Sequence, residues 1–133
     1  MTERARHFLE YRLPAILWAL VIFVASSIPG SKFPKFILKI DDKVIHISIF
    51  LVLGLLVFRA LEPRIRKNSF DWLRAVISTS VVTAYGALDE IHQMFVPGRT
   101  ADFRDAAADA IGAVLSALVL YFLFRLGEPR PRR

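Results

Sequence analysis

Four long apolar stretches alternate with short charged ones along the chain. The first is Leu13 to Pro29, "LPAILWALVIFVASSIP", and the second is Val44 to Leu61, "VIHISIFLVLGLLVFRAL". The third runs from Trp72 to about Val96 and opens "WLRAVISTSVVTAYGAL"; the fourth is Ala106 to Phe124, "AAADAIGAVLSALVLYFLF". Each is close to the roughly 20 residues a helix needs to cross the hydrocarbon core of a bilayer. In lipid every backbone polar group must be satisfied internally, which leaves helices or closed barrels. Period-2 alternation is absent, so the pattern predicts helices. The expected fold is all-α: one membrane domain over residues 1–133, a bundle of four transmembrane helices at about 13–29, 44–61, 72–96 and 106–124. Short linkers make consecutive helices antiparallel neighbours.

Composition agrees. The 133 residues are 55% hydrophobic with a mean hydropathy of +0.46, yet 23% are charged. Soluble domains hold about 45–50% apolar residues, so the balance suits a membrane protein with charged ends and loops. There is no cysteine, which excludes a disulfide framework, a thiolate zinc site and a thiol nucleophile. A net charge of +6 would suggest nucleic acid in a soluble protein. Here the basic residues flank apolar runs, so the expected partners are membrane lipids and not nucleic acid.

The distribution of Lys and Arg orients the bundle. One side holds Arg4, Arg6 and Arg12, the second loop (Arg59, Arg64, Arg66, Lys67, Arg74) and the tail (Arg125, Arg130, Arg132, Arg133), twelve in all. The other holds six: Lys32, Lys35, Lys39, Lys43, Arg99 and Arg104. The expectation is a multi-pass cell-membrane protein with both termini cytoplasmic and the tail "EPRPRR" as an anchor near anionic lipid. A basic start followed by "ASS" at Ala25–Ser27 also resembles a signal peptide. Trp18 and a full-length apolar run favour an uncleaved anchor.

With this topology the acids and histidines collect on the outer side. "DDKVIH" (Asp41–His46) opens the second helix, "DEIHQ" (Asp89–Gln93) closes the third, and "PGRTADFRDAAAD" (Pro97–Asp109) leads into the fourth. Residues three or four apart share a helix face. Asp42 therefore neighbours His46, and Asp89 neighbours His92 and Gln93. Asp102, Asp105, Asp109, Gly112 and Ser116 form a polar, small-residue stripe that should pack against other helices. Asp109 is the deepest acid. Facing lipid would cost about 2.5–3.5 kcal/mol on insertion scales, so it needs a partner among Arg99, Lys43, His46 and His92. Local structure accounts for part of the set. Asp41 or Asp42 suits the N-cap of the second helix, and Asp102 that of the fourth, with Asp105 at N3. Pro97-Gly98 suits the centre of a type II turn. Ser78, Thr79, Ser80 and Thr83 fit bonding to their own backbone, and Trp18, Trp72 and Tyr121 fit interface anchors. Ion pairs such as Arg99 with Asp89 and Asp105 are the purely structural alternative.

"DKVIHISIFLVLGLL" and "AYGALDEIHQMFVPGRTADFRDAAADAIGAVL" resemble the VanZ-like family. Its pattern is Asp-Lys-x-x-His, then Gly-x-x-Asp-Glu-x-x-Gln, an Arg, and Asp-x-x-x-Asp/Asn-x-x-Gly. Asp42, Lys43 and His46 match the first part; Gly86, Asp89, Glu90 and Gln93 the second, followed by Arg99; Asp105, Asp109 and Gly112 the third, with Asp109 where many members carry Asn. The resemblance covers about Asp41 to Leu118. It implies a membrane protein similar to the accessory protein linked to teicoplanin resistance, with a role in the cell envelope and an effect on glycopeptide susceptibility.

Three kinds of chemistry stay open. As an enzyme, the chain offers Asp42, His46, Asp89, Glu90, His92 and Asp105 as catalytic candidates, with a histidine as general base oriented by an acid. Asp89, His92, Asp105 and Asp109 are candidate ligands for a divalent metal, for which Mg²⁺, Mn²⁺ and Zn²⁺ suit a thiolate-free set. Lys43, Gln93, Arg99 and Asp109 are the substrate-binding candidates, the two bases suiting an anionic group on a lipid-linked cell-wall precursor. The alternatives are a non-catalytic headgroup or precursor binder and a small transporter using Asp109.

Overall fold

The computed structural model describes residues 2–32, 41–61 and 70–127. Among these there is no strand. Four helices, α1 (Glu3–Ser26), α2 (Asp42–Ala60), α3 (Trp72–Gln93) and α4 (Phe103–Gly127), make up the fold. Lys35, Lys39, the second-loop bases Arg64, Arg66 and Lys67 and the arginines of the tail anchor lie outside the described residues.

The helix limits differ from the apolar limits for identifiable reasons. α1 starts at Glu3, well before Leu13, because Thr2 Oγ1 accepts the Ala5 N–H and Arg6 pairs with Glu10 one turn on. Its hydrogen-bond ladder widens to π geometry over Phe8–Arg12, where the Leu13 N–H reaches back to Phe8 O. Pro14 follows directly; it has no N–H, and its ring crowds the carbonyl four residues back. At the other end α1 stops at Ser26 rather than Pro29, since the residue before a proline is pushed out of helical conformation. α3 stops at Gln93 rather than Val96. The N–H groups of Met94, Phe95 and Val96 tighten to carbonyls three residues back ahead of Pro97.

α1, α2 and α4 are long and apolar enough to cross a membrane. α3 has 22 residues but is more polar, and its arrangement is inside-out. Ser78, Asp89, Glu90 and Gln93 are buried, while Leu73, Val76, Ile77, Val81, Leu88 and Ile91 are exposed.

α4 packs along α2 and α3, and α1 along α2 and, less, α3. Ile22, Phe50, Leu53, Val82 and Ala113 form the buried apolar core. Small residues let the backbones approach. Gly54 of α2 faces the Ser116 side chain, and Gly112 faces the α2 backbone at Ile47 and Leu51. Polar groups bond across these seams. Ser78 Oγ donates to Gly54 O at 3.1 Å, Tyr85 Oη to Ala19 O at 2.7 Å and Trp18 Nε1 to Ile49 O at 3.0 Å. Ser78 and Trp18 thus join neighbouring helices, so the Ser78 hydroxyl bonds across the seam. At the far end Phe70, Trp72 and Tyr121 form an aromatic cluster. There Arg74 stacks over Phe58 and donates to its carbonyl, satisfying the C-terminal end of α2.

Candidate functional site

The opposite end gathers the first turns of α2 and α4 with the last turns of α1 and α3. Each helix start there is capped. Asp41 Oδ1 accepts the Lys43 N–H at 2.9 Å, and Asp102 Oδ1 accepts the Arg104 N–H at 2.8 Å. That bond from Arg104, with the Lys43 ammonium nearby, holds the Asp102 carboxyl below the usual aspartate range. A capping box would send an acid from α4 back to the Asp102 N–H. Here Glu90 of α3 does this instead, its Oε2 accepting the Asp102 N–H at 3.0 Å. Asp105, expected at N3, is released to form an ion pair with Lys43, whose Nζ also lies 3.3 Å from Asp102 Oδ2.

A continuous run of contacts follows. Ser26 Oγ of α1 donates to Asp89 Oδ1 at 2.6 Å; Gln93 Nε2 donates to Asp89 Oδ2 at 3.1 Å and to Glu90 Oε1 at 3.4 Å. Glu90 then joins Asp102, Asp102 joins Lys43, and Lys43 joins Asp105. All four helices contribute. Ser26, Asp89, Glu90, Gln93 and Asp105 are buried, while Lys43 and Asp102 are half-buried.

One turn deeper, His46 Nδ1 lies 2.8 Å from Asp109 Oδ1. Of the four partners open to Asp109, the bundle supplies His46. Asp109 is 0% exposed. Gly86 makes the room, since a Cβ there would stand 2.7 Å from both Asp109 Cβ and Oδ2. Asp109 Oδ2 is buried with no hydrogen-bond partner among the described residues. The other ring nitrogen of His46, Nε2, is 4.0 Å from Oδ1 of exposed Asp42.

Two of the candidates face elsewhere. His92 packs at a tilt against Phe23, ring centroids 4.6 Å apart, with Nε2 2.9 Å from Ser27 Oγ. Three residues from Asp89, it has rotated onto the α1 side. Arg99 Nε and Nη2 reach Ile28 O and Ala25 O at 3.3 and 3.5 Å, at the end of α1. The turn before it has Gly98 at φ +73°, with the Arg99 N–H bonded to Val96 O at 3.1 Å, as Pro97-Gly98 predicts. Gly30 seats against this turn, its N–H 3.2 Å from Pro97 O, and a Cβ on it would collide with Gly98 O. Sequence reasoning missed Ser26, Ser27 and Gly30. They sit in an ordinary-looking helix end, and no spacing rule links them to residues more than 60 positions away.

Among the described residues, two groups of side chains offer ligand atoms within 4.8 Å of one another: Asp42, His46 and Asp105, and His46, Glu90 and Asp109. His46 is common to both. Of the expected metal candidates, Asp105 and Asp109 belong to these groups, and Asp89 and His92 do not.

The family model described as VanZ/LLP1 matches residues 11–125. The chain belongs to the VanZ/LLP1 family. The match takes in all the site residues of this VanZ/LLP1 protein, from Ser26 to Asp109. No curated protein and no solved structure matches the chain.

Proposed function

We propose that this VanZ/LLP1 protein crosses the cell membrane four times, with both termini cytoplasmic. On this reading its polar end faces outward and binds the headgroup of a lipid-linked or anionic envelope component. The twelve-to-six bias of Lys and Arg supports the orientation. The fourth span is α3, whose outward Leu, Ile and Val side chains suit lipid and whose polar face turns into the bundle.

The observation that carries the reading is the bonded run from Ser26 through Asp89, Gln93, Glu90 and Asp102 to Lys43 and Asp105. Burying so many ionisable groups is costly, and helix capping alone needs only Asp41 and Asp102. The rim of the cluster is Asp42, Lys43 and Asp102. Lys43 bridges two acids there and can turn its Nζ from half-buried Asp102 to an incoming phosphate. Retaining a cell-wall precursor at the outer surface would change how glycopeptides reach it, which gives the teicoplanin connection a physical route.

Titration of a polyprenyl phosphate into the full-length chain in nanodiscs tests this. Saturable binding is expected, at least about tenfold weaker in Lys43→Met, a loss of about 1.4 kcal/mol or more. The uncharged polyprenol should not compete. Equal competition by polyprenol, or no saturation, contradicts the reading.

A further inference from the structure

We infer that His46, Glu90 and Asp109 form a binding site for one divalent cation of the Mn²⁺ or Zn²⁺ class, seated between α2, α3 and α4. This rests on the reading of the polar end as a binding site, and supplies it with a cofactor. Three helices bring the donors together. His46 comes from the second turn of α2, Asp109 from α4, and Glu90 from α3 one turn beyond the Gly86 that makes room for Asp109. Their ligand atoms all lie within 4.8 Å of one another. Three ligands on one ion at about 2.0–2.2 Å stand about 3–4 Å apart, so side-chain shifts of up to about 1 Å close the site.

A separate observation points to a ligand. Asp109 is 0% exposed, and its Oδ2 is buried with no hydrogen-bond partner among the described residues. That oxygen is turned to Gly86, on the face of α3 that carries Glu90. A bare buried carboxylate oxygen is unfavourable, and a coordinated cation satisfies it. Charge agrees. Asp89, Glu90, Asp105 and Asp109 are buried here, and Lys43 pairs with Asp105 among them. A divalent ion lowers the negative charge of this lining and so eases the approach of an anionic headgroup. The second group, Asp42, His46 and Asp105, shares His46 and begins at the exposed carboxylate of Asp42. It provides a route of carboxylate and imidazole donors from the surface to the inner site. One imidazole with carboxylates and no thiolate selects Mn²⁺ or Zn²⁺ over copper(I) or an iron–sulfur cluster.

The test uses the full-length protein, stripped with EDTA and titrated with Mn²⁺ alone. One equivalent is expected, with affinity reduced at least about tenfold in Glu90→Gln and in Asp109→Asn, and unchanged within about twofold in His92→Ala. Pulsed electron paramagnetic resonance of the Mn²⁺-loaded wild type should show coupling to an imidazole ¹⁴N, which requires no variant to fold. No stoichiometric binding, equal affinity in the Glu90 and Asp109 variants, or no ¹⁴N coupling overturns the site. Mn²⁺ binding without polyprenyl phosphate binding supports the cation site and overturns the headgroup reading; the reverse pattern overturns the cation site alone.

Discussion

Glu90 on α3 accepts the backbone N–H of Asp102, the residue that caps α4, at 3.0 Å. The reciprocal half of a capping box is thereby supplied by a different helix. The start of α4 and the end of α3 become one unit, and Asp105 is left to hold Lys43. Glu90→Ala should destabilise the fold by about 1–3 kcal/mol, the cost of orphaning a donor. Glu90→Gln, which keeps an acceptor oxygen, should cost less. Hydrogen exchange at the Asp102 and Arg104 amides reads the effect locally, with faster exchange in Glu90→Ala.

The His46–Asp109 pair should behave as a buried pair whose halves depend on each other. His46→Ala leaves the Asp109 carboxylate uncompensated and should cost about 3–5 kcal/mol. Asp109→Asn keeps an oxygen to accept from the ring and should cost less, about 1–2 kcal/mol. Unfolding in mixed micelles measures both. Equal costs would show that the charge of Asp109 is irrelevant to the pair.

Close approach at Gly54 and Gly86 gives a third expectation. A Cβ on Gly54 would stand 2.7 Å from Ser116 Cβ and nearer still to its Oγ, and one on Gly86 would press on Asp109. Either Gly→Ala change should cost about 1–3 kcal/mol by overpacking. Gly54→Ala should be largely relieved in a Ser116→Gly background, giving a coupling that a double-mutant cycle detects. Gly127→Ala, with nothing within 4 Å, is the neutral control.

Acid should weaken the α4 cap through Asp102. Its folded-state carboxyl titrates below the usual aspartate range, first because of the Arg104 N–H and then because of Lys43. The stabilisation is therefore complete above the ordinary aspartate pKa and is lost as pH falls through the lowered folded value. Asp102→Asn should flatten that acid limb of a stability-against-pH curve while leaving the neutral-pH shape alone.

Much of this end was legible in the sequence, and the missing part has one physical origin. Spacing of three or four places residues on one helix face, so Asp42 beside His46, the Asp102 cap and the inward Asp109 could all be read. Spacing does not fix how a helix is rotated against its neighbours. His92 and Asp89 are equally good neighbours on paper, yet the α1 contact takes His92 to Phe23 and Ser27 while Asp89 turns to Ser26 and Gln93. Arg99, a candidate for an anionic group by its charge, reaches the carbonyl end of α1, which spacing does not foretell. The helix ends moved for local reasons, the Thr2 cap, Pro29 and Pro97, whose effect on hydropathy is too small to mark a boundary.

On the proposed reading, the rim formed by Asp42, Lys43 and Asp102 meets the headgroup of a lipid-linked anionic component. The most direct measurement is cross-linking of the full-length protein in native-like membranes with a polyprenyl phosphate carrying a photoreactive group beside the phosphate, followed by peptide mapping. Labels concentrated in 41–46 and 100–105, and competed away by unlabelled polyprenyl phosphate, are the predicted result. Labels confined to the Phe70–Trp72–Tyr121 end, or spread along the exposed apolar faces without competition, would contradict the account.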